Sequence, residues 1–111
     1  MSDAPTVLWT GASGQEYKYW AYALGASLKE EAGNYIFAKR RAGGGCVACY
    51  IGQTANLNQR LGDHEKGSCA SRHGATHVHA HLNSRGETGR RAEEGDLISR
   101  HRPACNEQLV P

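Results

Sequence analysis

Cys49-Tyr50-Ile51-Gly52-Gln53-Thr54 is the stretch from which the rest of the chain is read. Tyr50 and Ile51 favour a strand, Gly52 ends it, and Gln53-Thr54 is a polar exit. Thr54 or Asn56 can cap a helix that then carries residues 56–64. Leu57 and Leu61, four apart, form its inward stripe; Arg60 and His64, also four apart, share another face. Gly62 weakens this helix. Gly67 is expected to close it, and residues 68–72 add a short helical turn.

Upstream, Gly33-Asn34-Tyr35-Ile36-Phe37-Ala38-Lys39 is a second strand, and the run Gly43-Gly44-Gly45 between the two is a turn. The two runs form a hairpin. A loop centred between Ala42 and Gly43 sets Tyr35 opposite Tyr50, and a one-residue change there would swap faces. Residues 6–24 read as a further hairpin or pair of strands, broken by the turn cluster at 10–14, which lacks the Gly-Lys-Ser/Thr ending of a phosphate loop. Tyr17 and Tyr19 share one face there. They either cover an edge of the sheet, the favoured reading, or stack on nucleic-acid bases. Residues 27–32 are a connector or a brief helical turn.

Downstream, His77-Val78-His79-Ala80-His81-Leu82 alternates cleanly and predicts a half-buried strand, histidines outward, on a face that is solvated or near DNA phosphates. Residues 87–101 form the last helix, with Thr88 as cap and Ala92, Leu97 and Ile98 as core candidates; Pro103 prevents its continuation.

At 111 residues and 39% hydrophobic content the chain is sized for one modest core. No apolar run reaches the ~18 residues of a membrane span. The first residues lack the pattern of a leader, so a cytoplasmic protein is the default expectation. The formal charge of +2 is mildly basic and by itself describes a solvated surface. Four cysteines, at 46, 49, 69 and 105, are expected as thiols in that compartment. Cys46 and Cys49 have zinc-knuckle spacing, with Cys69 and His73 as the further ligands such a site would need. On a strand, however, positions three apart point to opposite faces, which disfavours the pair.

Gly33-Asn34-Tyr35, Tyr50-Ile51-Gly52, Arg60 followed by His64, Glu94-x-x-Leu97-Ile98 and Pro103-x-x-Asn106 occur in that order. The ordered set resembles the GIY-YIG nuclease family over residues 33–106. Asn34 stands where the family name has isoleucine. The resemblance implies an α/β fold, a small, mainly antiparallel sheet flanked by helices. Residues 1–32 are then an N-terminal β extension and 107–111 a tail.

The resemblance also implies a DNA endonuclease that hydrolyses phosphodiester bonds with one divalent ion, Mg2+ or Mn2+. Glu94 would hold the ion, with Glu93 as its rival, and Tyr35 would be the general base. His64 would take the phenol proton or orient the ring. Arg60 would lower the phenol pKa and bind the scissile phosphate, and Tyr50 would bond the phosphate or the attacking water. Asn106 would brace the site near Glu94. Arg60, Lys66, Arg72, Tyr17 and Tyr19 are candidate DNA contacts, with a slight lean to single-stranded or branched DNA. Taken singly, each residue has a plainer reading: Tyr35 and Tyr50 as cross-strand partners, Arg60 and His64 as a surface pair, Glu94 bridged to Arg90 or Arg91. The competing functions are a non-catalytic nucleic-acid-binding module and a small zinc-binding protein.

Overall fold

The computed structural model describes residues 4–62 and 67–107. Five strands form one antiparallel sheet in the order β1-β2-β5-β3-β4. They are β1 (Thr6–Thr10), β2 (Glu16–Ala23), β3 (Gly33–Arg40), β4 (Cys46–Thr54) and β5 (His77–Leu82). Helices α1 (Leu57–Gly62), α2 (Gly67–Arg72), α3 (Gly86–His101) and α4 (Ala104–Glu107) flank it. The class is thus α/β, and the β1-β2 hairpin extends the sheet by pairing with β5. Gly67, expected as a helix end, lies within α2, and residues 27–32 carry no helical turn. No helix among the described residues is long and apolar enough to cross a membrane.

The β3-β4 register differs from the sequence expectation. Tyr35 pairs with Gly52 and Phe37 with Tyr50, with an irregularity between Phe37 and Ala38. The turn and the irregularity each move the register by one: Arg41 and Gly45 close the turn so that Arg40 meets Cys46, with Gly44 and Gly45 at φ of 104° and 80°, open to glycine at little cost, and the break between Phe37 and Ala38 adds the second residue. The slip at Tyr35 is two residues, a full side-chain period, so Tyr35 and Tyr50 keep a common face as diagonal neighbours. Their ring centroids are 6.2 Å apart.

The sheet buries both faces. On one, Trp9, Tyr19, Ile36, Ala38, Ala48 and Ile51 pack with Leu97 of α3. On the other, Tyr35, Phe37, Cys49, Val78 and Ala80 pack with Leu57 and Ala70 of α1 and α2. Cys46 packs against the first cluster and Cys49 lies in the second, so the pair cannot form a zinc knuckle.

The histidine face of β5 is only partly solvated, because β5 is central: His79 is buried beneath Trp9 of β1, His81 meets Glu93 of α3, and His77 at the strand end is half-buried. His79 is 1% exposed and accepts the indole N–H of Trp9 at Nδ1, 3.0 Å away. Burial, then the neighbouring His77, lowers its pKa from 6.5 to about 4. The unfolded chain therefore binds the extra proton between those values, and folding stability rises with pH across that window. Roughly 3 kcal/mol of stability should be present above pH ~6.5 and lost as the pH falls towards 4. Urea unfolding at a series of pH values tests this, and in His79→Gln the slope should shrink.

Helix α3 turns Arg90, Glu93 and Leu97 inward. Ala92, expected in the core, is exposed, and Thr88 does not cap the helix, which starts after Arg85 without a side-chain cap bond. Arg102 ends it in the left-handed region and donates its N–H to the carbonyl of Ile98.

Cys69 of α2 and Cys105 of α4 are joined in a disulfide, with Cα atoms 6.0 Å apart. This corrects the expectation of four thiols; only Cys46 and Cys49 are free. Two short helices packed beside β4 bring together cysteines 36 positions apart, which spacing cannot reveal. A loop of that length is worth roughly 3–4 kcal/mol in the chain-entropy account. Reduction in the presence of a chelator should lower the urea midpoint accordingly, and Cys105→Ala should be insensitive to reductant.

Candidate active site

Gly52 makes room for the site. A Cβ there would lie 2.5 Å from the Tyr35 hydroxyl oxygen and 2.6 Å from Cζ, so the phenol lies directly over the glycine. Tyr35 is 1% exposed and also rests against Phe37, centroids 5.9 Å apart.

Arg60, one turn into α1, hydrogen-bonds the Tyr35 hydroxyl. Asn56 starts that helix by accepting the N–H of Gln59 at 3.0 Å, while Thr54 Oγ1 accepts the N–H of Asn56 at 3.1 Å. The two residues foreseen as alternative caps thus act in series. Leu57 is the buried anchor that sets the helix phase and so directs Arg60.

Desolvation pushes the Tyr35 phenol above its ordinary range. Tyr50 adds to this, Arg60 opposes it through hydrogen bond and charge, and Glu94 raises it slightly. Tyr35 therefore sits within electrostatic reach of Tyr50, Arg60 and Glu94 together. His64 and Lys66 lie outside the described residues.

Adjacent acids on α3 have different environments. Glu93 is 1% exposed and saturated. It accepts from Tyr19 Oη at 2.6 Å, Asn83 Nδ2 at 3.2 Å and Arg85 Nη2 at 2.9 Å, and lies 2.6 Å from His81 Nε2. Glu94 is half-buried and makes no hydrogen bond among the described residues. Burial raises its pKa, and Arg91 opposes the shift. The plainer reading, a bridge to Arg90 or Arg91, is not what the helix does. Arg91 pairs with Glu87 at 2.6 Å, and Arg90 donates to Gln53 Oε1 at 2.9 Å.

Asn106 bonds β4. Its Oδ1 accepts the N–H of Ile51 at 2.8 Å, and its Nδ2 donates to the Ile51 carbonyl at 2.9 Å. One side-chain amide thereby imitates a neighbouring strand at the sheet edge, beside Tyr50.

Of the two tyrosines read as candidate DNA contacts, Tyr19 is not available for base stacking, and Tyr17 is half-buried. Tyr19 is wholly buried against Glu93. Tyr17 donates to Asp96 Oδ2 at 2.7 Å, and burial followed by Asp96 pushes its phenol up to about 12. Arg72 is exposed at the end of α2 and contacts Ser68 Oγ at 3.3 Å.

One feature the sequence reading missed is a buried polar network behind the site. Asn34 donates to the carbonyl of Arg90 at 3.0 Å and accepts from Asn83 Nδ2 at 2.9 Å, and Asn83 continues to Glu93. The visible signal was an asparagine inside an otherwise apolar strand. Its place in the motif is explained by what it bonds: an isoleucine at 34 would leave Asn83 and the Arg90 carbonyl without these partners.

Comparison with protein-family models, curated proteins and solved structures gives no match for this chain.

Proposed function

We propose that this chain is a metal-dependent endonuclease of the GIY-YIG type, hydrolysing phosphodiester bonds in DNA. The observation that carries the reading is the Arg60–Tyr35 hydrogen bond, made over Gly52, beside Tyr50 and within electrostatic reach of Glu94. Cross-strand packing alone would account for the two rings, but not for a guanidinium turned onto a buried phenol.

The acid pair suits one divalent ion. Glu93 has its oxygens occupied, whereas Glu94 is a half-buried carboxylate with no hydrogen bond among the described residues, its pKa raised by burial, and a bound cation would favour its charged form. A single carboxylate leaves the other positions of a Mg2+ or Mn2+ ion to water and substrate, as such ions prefer. When bound, the ion would neutralise charge at the scissile phosphate and the departing oxygen.

The chain's own groups supply the rest. Arg60 would bridge phenol and phosphate, and its charge counters the burial that makes Tyr35 a poor proton acceptor at neutral pH. Tyr35 would accept the proton of the attacking water, with Tyr50 bonding the phosphate from the adjoining strand. Asn106 holds the Tyr50–Gly52 segment in register, and Asn34 ties β3 to α3.

The lean towards single-stranded DNA rests on the aromatic residues of β2, of which Trp20 and Tyr22 are more open than Tyr19. Trp20 and Tyr22 lie on the face of β2 opposite Tyr17 and Tyr19, and line an open cleft of about 580 Å³ with Leu28, Lys29 and Leu57. Parallel time courses on labelled single-stranded and duplex oligonucleotides with Mg2+ should show faster loss of the single strand. Tight binding that leaves both substrates intact would favour a nucleic-acid-binding module without catalysis.

A further inference from the structure

We propose that Cys69, His73 and Cys105 form a zinc site when the Cys69–Cys105 disulfide is reduced. His73 donates its backbone N–H to the Cys69 carbonyl at 3.1 Å, so the two residues sit one helical turn apart at the end of α2. Cys105 faces them from α4. One donor atom from each residue lies within 4.8 Å of the other two. Around tetrahedral zinc, with bonds of about 2.0–2.3 Å, donors stand roughly 3.3–3.8 Å apart, so small side-chain rotations suffice. Both sulfurs are buried while His73 is exposed, which leaves one open approach for an ion and room for water as fourth ligand. Two thiolates and an imidazole are a donor set for zinc rather than for Mg2+ or Mn2+.

The disulfide form cannot ligate in this way, because its sulfurs are bonded to each other. A phosphine reductant and one water convert the disulfide to two thiols and a phosphine oxide. Zinc then displaces the two thiol protons, and His73 contributes a ring nitrogen lone pair. A dithiol would serve equally as reductant, becoming a cyclic disulfide. Either linkage, covalent or metal, ties α4 to α2. In both states the link secures the segment from which Asn106 grips Ile51. The same corner can therefore be held under oxidising and reducing conditions. The site is separate from Glu94 and does not depend on the nuclease reading.

The test is zinc content and Co2+ absorption of the full chain, oxidised or reduced with a phosphine and desalted before metal is added. The reduced chain is expected to hold one zinc and to show thiolate–cobalt charge transfer with tetrahedral bands, and the oxidised chain neither. His73→Ala, a change at an exposed position, should weaken binding about tenfold or more, and Cys105→Ser should remove the charge-transfer band. Cys46→Ser should bind as the parent does. Absence of stoichiometric zinc in the reduced chain, equal binding by the oxidised chain, or unchanged binding in His73→Ala would each overturn the proposal.

Discussion

Glu94→Ala is expected to lower metal-dependent DNA cleavage by about three orders of magnitude, since the loss of an ion contributing several kcal/mol to the transition state has an effect of that size. The fold should survive. Glu94 makes no hydrogen bond among the described residues, and removing its carboxylate relieves a desolvated charge rather than orphaning a partner. Its neighbour should behave in the opposite way. Glu93→Ala strips a buried acceptor from Tyr19, His81, Asn83 and Arg85 at once. Breaking such an assembly from one side costs about 3–5 kcal/mol. Thermal unfolding and initial cleavage rates, measured on both variants, should separate them. Similar melting temperatures for parent and Glu94→Ala, with a large drop for Glu93→Ala, is the expected pattern. Full cleavage by Glu94→Ala would sink the assignment of the metal ligand.

Tyr35→Phe is expected to reduce cleavage by about 10²–10⁴-fold, the usual contribution of a positioned base. The ring and its contacts with Phe37 and Tyr50 remain, so unfolding should change little. The pH profile provides a readout that a purely structural hydroxyl would not move. The phenol is raised by burial and only partly pulled back by Arg60, so its deprotonated fraction grows with pH throughout the neutral range. Cleavage by the parent should therefore rise from neutral to mildly alkaline pH, and the slope should flatten in Tyr35→Phe. An unchanged rate and slope would return Tyr35 to the role of a packing residue.

Local chemistry was well legible in the sequence. The strand-forming runs at 33–39 and 47–52, the glycine turn between them and the asparagine cap at 56 each act over a few residues, and each is found where its pattern lies. What depends on contacts distant in the chain was not. Alternation along residues 77–82 is real, but it cannot report that β5 is central, so on the face read as solvated or near DNA phosphates His79 is buried against Trp9 and His81 meets Glu93. The hairpin register depended on how the glycine turn closes and on the irregularity between Phe37 and Ala38, one residue each, and the resulting two-residue slip at Tyr35 preserved the pairing of faces while changing partners. Helix α3 conceals its inward face because that face holds Arg90 and Glu93, and hydrophobic spacing therefore pointed to Ala92. The disulfide joins positions that only the packing of two short helices brings together.

The candidate site shows the same division. Tyr35, Tyr50, Arg60 and Glu94 were singled out from an ordered motif, and the first three meet through adjacent elements of the chain, β3, β4 and α1. The different surroundings of Glu93 and Glu94 depend on helix phase: Glu93 enters the buried network and Glu94 does not. Asn106 was singled out as a brace, and the backbone it bonds, Ile51 at the edge of β4, was not legible in the sequence.

The central claim is tested most directly by titrating Mg2+ and Mn2+ into the full chain with an end-labelled DNA and following internal cleavage. The account predicts no cutting in chelator, a saturable rise with either ion, and loss of that rise in Glu94→Ala. Intact DNA at every concentration of both ions, with the parent chain folded, would contradict it.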